Sequence, residues 1–539
     1  MKVTTAFCSF LLFTGVSGIA LVYVFDTFTA ERAAAAQMKG ETLEVSPTLV
    51  DVKKLPDAKP SSQSRDRILA PRIPIGRARL QEIKNDPAST SEGRLLSKNQ
   101  PQPVVVKRVA KSPRNVSRFY NCTGNAFTGS APSDSHGAVG KNGYIEVTNV
   151  DVGFYSRTAC TSLIPRKSLK SFFGITDTAT TAFDPRALYD FVNDRYVVTA
   201  ETRKTSSTDQ FQYFAVSKTN NPAGAYFVYK IRLSEGTTKF CKKAVSDFWD
   251  YPNAGYNKDR WFLGTNVFPT AGSAYGTILT ITKAPTLVGG TATFRCYGTG
   301  SFAVQFNTAP PINRSSTSTI AYFLSPGSGS GSQLKKYTLN TSTDVLSGPV
   351  NIPLPNAWTA PPDASQPGVT QTLDTLDGRF QSASVQIGST LWNTHAINFS
   401  GRALNKVYKV NASTNTSTLA VFLQSSATSF NWNPSFVTGS TSTTSPGFLT
   451  WSTTDPTNNL RASSDMLTGP NASSAGWFLT RAVTSSQSCT SNPVCRWGDY
   501  SSTTLDPLDF NQAFGVNQFL TGTSQFDWST RITGIKFVP

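Results

Sequence analysis

The chain has 539 residues with a formal net charge of +17; 15% of its residues are charged, 38% are hydrophobic, and it carries 38 glycines and 32 prolines. That length suits one large repeat domain with tails, and so much glycine and proline with so little charge excludes a helical bundle or a coiled coil. Two histidines in the whole chain exclude a His-rich metal centre and a relay of several histidines.

Residues 1–30 open with Lys2 and an apolar run from Val3 to Phe25, closed by Asp26. This is the pattern of a secretory n-region and h-region, and it predicts an N-terminal apolar helix. The run is also long enough to span a bilayer. A cleaved signal peptide and an uncleaved signal anchor both fit, so residues 3–25 predict a secreted or membrane-anchored protein, extracellular or periplasmic. Apart from Cys8, six cysteines remain: Cys122, Cys160, Cys241, Cys296, Cys489 and Cys495. An even number in an exported chain predicts disulfides. Cys489 and Cys495 bracket a turn-forming Thr-Ser-Asn-Pro-Val loop and are the most direct pair. No Cys-x-x-Cys spacing supports zinc or thioredoxin-type chemistry.

Residues 31–115 show no sustained helical or strand period. Residues 31–120 hold 18 basic and 9 acidic side chains. Such a segment buries too little to offset its ordering entropy, so it reads as a disordered basic linker. Its charge suits an anionic membrane or cell-wall polymer, and equally a plain solvated spacer. Nucleic acid is not expected as a partner, since it suits an exported chain poorly and the basic residues do not alternate with aromatics in a recognisable module.

From residue 116 the text changes to short runs of β-branched and aromatic residues between turn-forming clusters. Strands are expected at Arg195–Ala200, Gln212–Ser217, Ala225–Leu233, Trp261–Phe268, Thr277–Thr282 and Phe448–Ser452. They are bounded by turn signals such as Asn193-Asp194, Asn220-Asn221-Pro222 and Asn257-Lys258-Asp259. A weak repeat links Asp184-Pro185 to Asp250-Tyr251-Pro252, with looser echoes near Phe380, Pro434 and Asp499. Its period of roughly 63 residues fits a four-stranded blade with long loops. The expectation is therefore an all-β domain over 116–539, a single β-propeller of six or seven four-stranded blades, with seven favoured. The short last stretch, 499–539, is expected to complete a sheet with strands near Tyr144–Tyr155 and close the ring. A pair of sandwiches is the alternative.

Several strings carry a family resemblance: Asp184-Pro-Arg-Ala-Leu-Tyr-Asp190, Ala215-Val-Ser-Lys-Thr-Asn-Asn-Pro222, Asp250-Tyr-Pro252 with Asn266-Val-Phe268, Leu373-Asp-Thr-Leu376 with Arg379, Trp497-Gly-Asp-Tyr-Ser501 with Asp506-Pro507, and Trp528-Ser-Thr530. Their order and spacing over about 140–535 resemble a family of exported bacterial proteins with a sialidase-like β-propeller, most without an assigned activity. The resemblance implies a propeller and export, not catalysis. Sialidases use an arginine triad, a Tyr–Glu nucleophile pair and an aspartic acid/base, and usually carry Ser-x-Asp-x-Gly-x-x-Trp boxes. No such box is present. From residue 121 on the only glutamates are Glu146, Glu201 and Glu235, and nothing in the sequence marks a pair of carboxylates at glycosidase spacing.

The candidate binding residues are Arg379, Arg496, Trp497, Asp499 and Tyr500. Asp499 suits a cation or a sugar hydroxyl, with Trp497 or Tyr500 stacking beside it; it equally suits capping of turn amides while the aromatics pack between blades. Arg379 and Arg496 suit an acidic ligand, or inter-blade ties to Asp374, Asp377 and Asp499. His395 and His136 read as core or rim residues. The Gly-Ser-Gly-Ser-Gly string at Gly327–Gly331 reads as a flexible loop, since a nucleophile elbow needs serine at its centre, where Gly329 stands, and a helix after it. No catalytic residue, metal or cofactor is assigned, and a structural calcium has no motif behind it. The function these features support is a non-catalytic binding or scaffold module for a glycan or a surface protein. A sialidase-like glycoside hydrolase and a structural envelope protein are the alternatives. Carboxylates converging with arginines on the axis would favour the enzyme.

Overall fold

The structure, a computed structural model, describes residues 4–10, 23–29, 37–38, 40–58, 68–69, 100–108 and 116–538, except 206, 301, 302, 328, 443, 444, 474 and 493. Residues up to 37 form one unit and the rest another. In the first, Thr4–Phe10 and Tyr23–Thr29 pair as an antiparallel hairpin, with Thr4 opposite Thr29. The expected N-terminal apolar helix is therefore not found at either end of that run. Its Val, Thr, Phe and Tyr residues favour extended backbone. The middle of the run lies outside the described residues. Among the described residues no helix is long and apolar enough to cross a membrane.

The second unit is all-β, as composition and period predict, with a propeller arrangement of antiparallel meanders. Every expected strand lies inside an observed one, for example Trp261–Phe268 within Arg260–Phe268 and Phe448–Ser452 within Pro446–Asp455. The helices among the described α-helical residues are single turns, Leu169–Phe172 and Lys283–Thr286. Turns form where short polar side chains hold the backbone. Asn257 accepts from the amides of Asp259 and Arg260 at 3.0 and 2.9 Å, and Asp194 adopts a φ of 60°, which Asp tolerates better than most residues.

Five sheets of four to six strands stand by themselves, and one runs to eleven. The large sheet arises because Pro311–Asn313 pairs in parallel with Phe248–Tyr256 on one side and Ser384–Ile387 on the other. This short inner strand fuses two four-stranded meanders, so the hydrogen-bonded sheets do not separate into the six or seven blades expected.

Two expectations are corrected. The last sheet, Ser502–Asp506, Asp509–Leu520 and Trp528–Phe537, is completed by Val116–Ala126. Tyr144–Tyr155 instead belongs to the meander that follows. Residues 31–115 are not uniformly a free linker. Glu41–Val45 adds to the edge strand Ala292–Tyr297, and Thr48–Asp51 adds to Ala225–Glu235. Val104–Val105 adds to Thr416–Gln424, and Lys107–Arg108 to Phe478–Thr484. A preformed sheet edge offers backbone partners to a segment with no core of its own, which hydrophobic periodicity does not reveal. Ile68–Leu69 likewise pairs with Ser130–Ala131, and Val52–Lys54 forms a short 3-10 turn; residues 59–67, 70–99 and 109–115 lie outside the described ones.

Three disulfides, Cys122–Cys160, Cys241–Cys296 and Cys489–Cys495, use all six cysteines of the domain. They fit an oxidising environment.

Candidate functional site

The inner strands share one local device. Pairing is interrupted between Phe183 and Arg186, between Asp250 and Asn253, and between Trp432 and Ser435. Each interruption leaves a dipeptide ending in proline out of register: Asp184-Pro185, Tyr251-Pro252 and Asn433-Pro434. Its first residue sits at positive φ, 49°, 62° and 56° respectively. These are β-bulges, and they are the structural form of the repeat seen in the sequence. For Tyr251 the left-handed conformation is costly, and it is held by what the side chain meets.

That meeting place is a buried polar cluster. Tyr500 lies under the Arg186 guanidinium, 3.3 Å from ring centroid to carbon, and packs on Tyr251 at 4.7 Å. The Tyr500 hydroxyl donates to the Asp184 carboxylate. The Tyr251 hydroxyl and the Gln381 amide both donate to the Asp499 carbonyl, at 3.3 and 3.2 Å. The Asp499 amide donates to Asp134 Oδ1 at 2.7 Å. Asn433 donates to the Gly498 carbonyl at 2.8 Å. Segments distant in sequence are thus stitched together at one end of the inner strands.

Three guanidinium groups serve this cluster, and each is internally engaged. Arg186 donates to the carbonyls of Pro252 and Gln381 at 2.6 and 3.1 Å. Arg379 makes a two-pronged pair with Asp377 at 2.7 and 2.8 Å, both side chains buried, and its guanidinium carbon stands 4.4 Å from the Tyr251 ring centroid. Arg496 lies 3.3 Å from Asp499 and 4.0 Å from Asp374.

The carboxylates are in excess. Asp184, Glu201 and Asp250 each bring an oxygen within 4.8 Å of the others, and all three are buried. Burial raises all three above the usual carboxylate range, and their mutual repulsion adds to it for Glu201 and Asp184. Burial likewise raises Asp134, with Asp499 and Asp184 contributing.

The structure brings Arg379, Arg496, Asp499 and Tyr500 to this cluster. Trp497 sits beside it in a different role. Its indole N–H donates to Ser452 at 2.9 Å and its ring packs edge-on against Trp432 at 5.6 Å, in the apolar cluster that includes the Cys489–Cys495 bridge. Both histidines are core residues. His395 is enclosed by Trp358, Phe380 and Tyr408, and burial lowers its pKa to about 3. His136 accepts from the Ala187 amide, and burial holds it well below the imidazole range.

Sequence reasoning missed Asp134, Asp184, Arg186, Glu201, Asp250 and Tyr251 as site residues. Asp184-Pro185 and Asp250-Tyr251-Pro252 were visible as a repeat, and Glu201 as one of few glutamates. Their convergence depends on bulge geometry that a sequence does not display.

Further along the same inner strands the character changes. Val139, Tyr189, Ile312, Val385, Val437 and Thr504 line an apolar cavity of about 40 Å³. That holds a water molecule or two, not a sugar ring.

No family model matches the chain, and no curated protein matches it. Solved structures similar to it include a neuraminidase-like protein from a Peruvian flat-faced bat isolate (8% identity, TM-score 0.35, covering 81% of this chain and 98% of that one). Others are an exo-beta-1,3-galactanase from Phanerochaete chrysosporium (10%, TM-score 0.28, 78% and 96%) and an endo-arabinase from Bacteroides thetaiotaomicron (9%, TM-score 0.28, 66% and 93%). The fold assignment rests on the strand topology of the chain itself.

Proposed function

We propose that this protein is an exported, surface-held or secreted β-propeller that recognises a glycan or a surface protein and cleaves no bond. One observation carries the reading: every arginine of the cluster has an internal partner, though Arg186 Nη2 and Arg496 Nε make no hydrogen bond, and the clustered carboxylates are buried within 4.8 Å of one another. A hydrolase needs an acid and a second carboxylate reaching opposite sides of a bound sugar, about 5–10 Å apart with room between them. Here one oxygen of each of Asp184, Glu201 and Asp250 lies within 4.8 Å of the others and all three are buried, closer than that spacing and with little room for a sugar between them. Recognition then falls to loops carried on the rigid sheets. Seven blades fit this reading, since seven separate strands, the short Pro311–Asn313 among them, contribute lining residues to the cavity further along the axis. The basic 31–115 segment supplies affinity for an anionic membrane or cell-wall polymer. No cofactor is required by this reading.

A second reading, glycoside hydrolysis, is favoured by the convergence of Asp184, Glu201 and Asp250 with Arg186 and Arg379, the arrangement expected of the enzyme, and by their raised carboxyl pKa values, a pattern shared with active sites. A glycan array run beside a fluorogenic glycosidase panel separates the two. Binding without turnover supports recognition. Turnover that Glu201→Gln abolishes establishes the hydrolase instead.

A further inference from the structure

The clustered carboxylates come from different strands. Asp184 stands in the bulge of Thr180–Asp190, Glu201 on Arg195–Lys204, and Asp250 on Phe248–Tyr256 of the next meander. Glu201 is fully buried, and neither of its carboxylate oxygens makes a hydrogen bond of good geometry, the Tyr251 backbone N–H being the donor that stands near it. It nevertheless faces two further carboxylates within 4.8 Å. A buried anion without well-placed donors is costly, and a second and third anion beside it more so. The nearby guanidinium groups relieve it only in part: Arg186 favours the charged form of Asp184 and Arg379 that of Asp250, but Arg379 is paired with Asp377 and Arg186 is directed at two backbone carbonyls.

We propose that Asp184, Glu201 and Asp250 bind one divalent cation, with calcium the best match to an all-oxygen set. Calcium takes six to eight oxygen ligands and accepts mono- or bidentate carboxylates in flexible geometry. Three carboxylates in mutual contact supply between three and six of those positions. The ion stands where bulges interrupt both ladders, and it clamps two successive meanders at their inner strands. The competing way to neutralise the cluster is a proton shared between Glu201 and Asp250, which calls for no ion.

The test uses the full chain, stripped with a chelator and titrated with Ca²⁺, Mg²⁺ and Tb³⁺. Tyr500 donates to Asp184 and packs on Tyr251, so bound Tb³⁺ gains tyrosine-sensitised emission that Ca²⁺ displaces. The expected result is one ion per chain and a thermal midpoint about 2–5 °C higher at calcium a hundredfold above its Kd. Glu201→Gln is expected to weaken binding at least tenfold, and the exposed Glu235→Gln to leave it unchanged. Should Glu201→Gln not fold, Asp250→Asn and the wild-type stoichiometry carry the test. Absence of binding at millimolar Ca²⁺, Mg²⁺ and Tb³⁺ overturns the proposal in favour of the shared proton, as does binding that neither variant weakens. Ion binding is read without any glycan, so its outcome is independent of the recognition reading.

Discussion

Replacing Arg379 with methionine distinguishes a structural tie from a ligand contact. The substitution keeps much of the aliphatic volume and removes the guanidinium, leaving Asp377 buried without its two-pronged partner. Breaking a buried pair from one side costs about 3–5 kcal/mol. Loss of the contact with the Tyr251 ring, 4.4 Å from the guanidinium carbon, adds about 0.5–2 kcal/mol. The expected loss is therefore about 4–7 kcal/mol, read as a shift in the urea midpoint followed by tryptophan fluorescence. Asp377→Asn alone leaves the opposite charge stranded and costs a comparable amount. The double variant removes both charges, and its loss should fall short of the summed single losses by at least about 2 kcal/mol. The reasoning fails if Arg379→Met unfolds within about 1 kcal/mol of wild type while ligand binding disappears. That outcome would make Arg379 a recognition residue rather than a tie.

Two further predictions concern stability. Burial pushes the Glu146 carboxyl up from 4.5 to about 7, although the Asn125 amide and the Thr530 hydroxyl donate to it. Its folded pKa is raised, so its contribution is fully present below pH 4.5 and is lost as pH rises through 7; Glu146→Gln should gain about 3 kcal/mol on wild type between pH 5 and pH 9 in paired urea titrations. For the disulfides, loop entropy orders the losses: removing Cys241–Cys296 or Cys122–Cys160, with separations of 55 and 38, should cost about 4 kcal/mol each. Removing Cys489–Cys495, with a separation of 6, should cost about 2 kcal/mol. Thermal midpoints of paired Cys→Ser variants check the order, and an equal loss for all three would count against it.

Much of the architecture was legible because strands announce themselves locally. Val197, Phe214 and Leu263 lie in β-branched and aromatic runs bounded by Asn and Asp turns, and all three are buried. Cysteine parity anticipated a fully paired set. Non-local features were not legible. Glu41–Val45 becomes a strand only because the Ala292–Tyr297 edge is there to receive it, and Val116–Ala126 closes the last sheet across almost the whole domain. The site was half visible. Asp499 and Tyr500 stood out as a dense string, whereas Glu201 and Asp250 acquire meaning only when adjacent meanders bring them together. Arg379 and Arg496 were visible as charges, with tie and ligand contact left open. The partners Asp377, Asp374 and Asp499 now occupy them.

The central claim, that the axial cluster binds the fold together and the protein recognises without cleaving, is tested most directly by assaying the purified full chain on a glycan array and a fluorogenic glycosidase panel in parallel. The account predicts binding on the array and no turnover on the panel. Turnover that Glu201→Gln or Asp250→Asn abolishes in folded protein would contradict it.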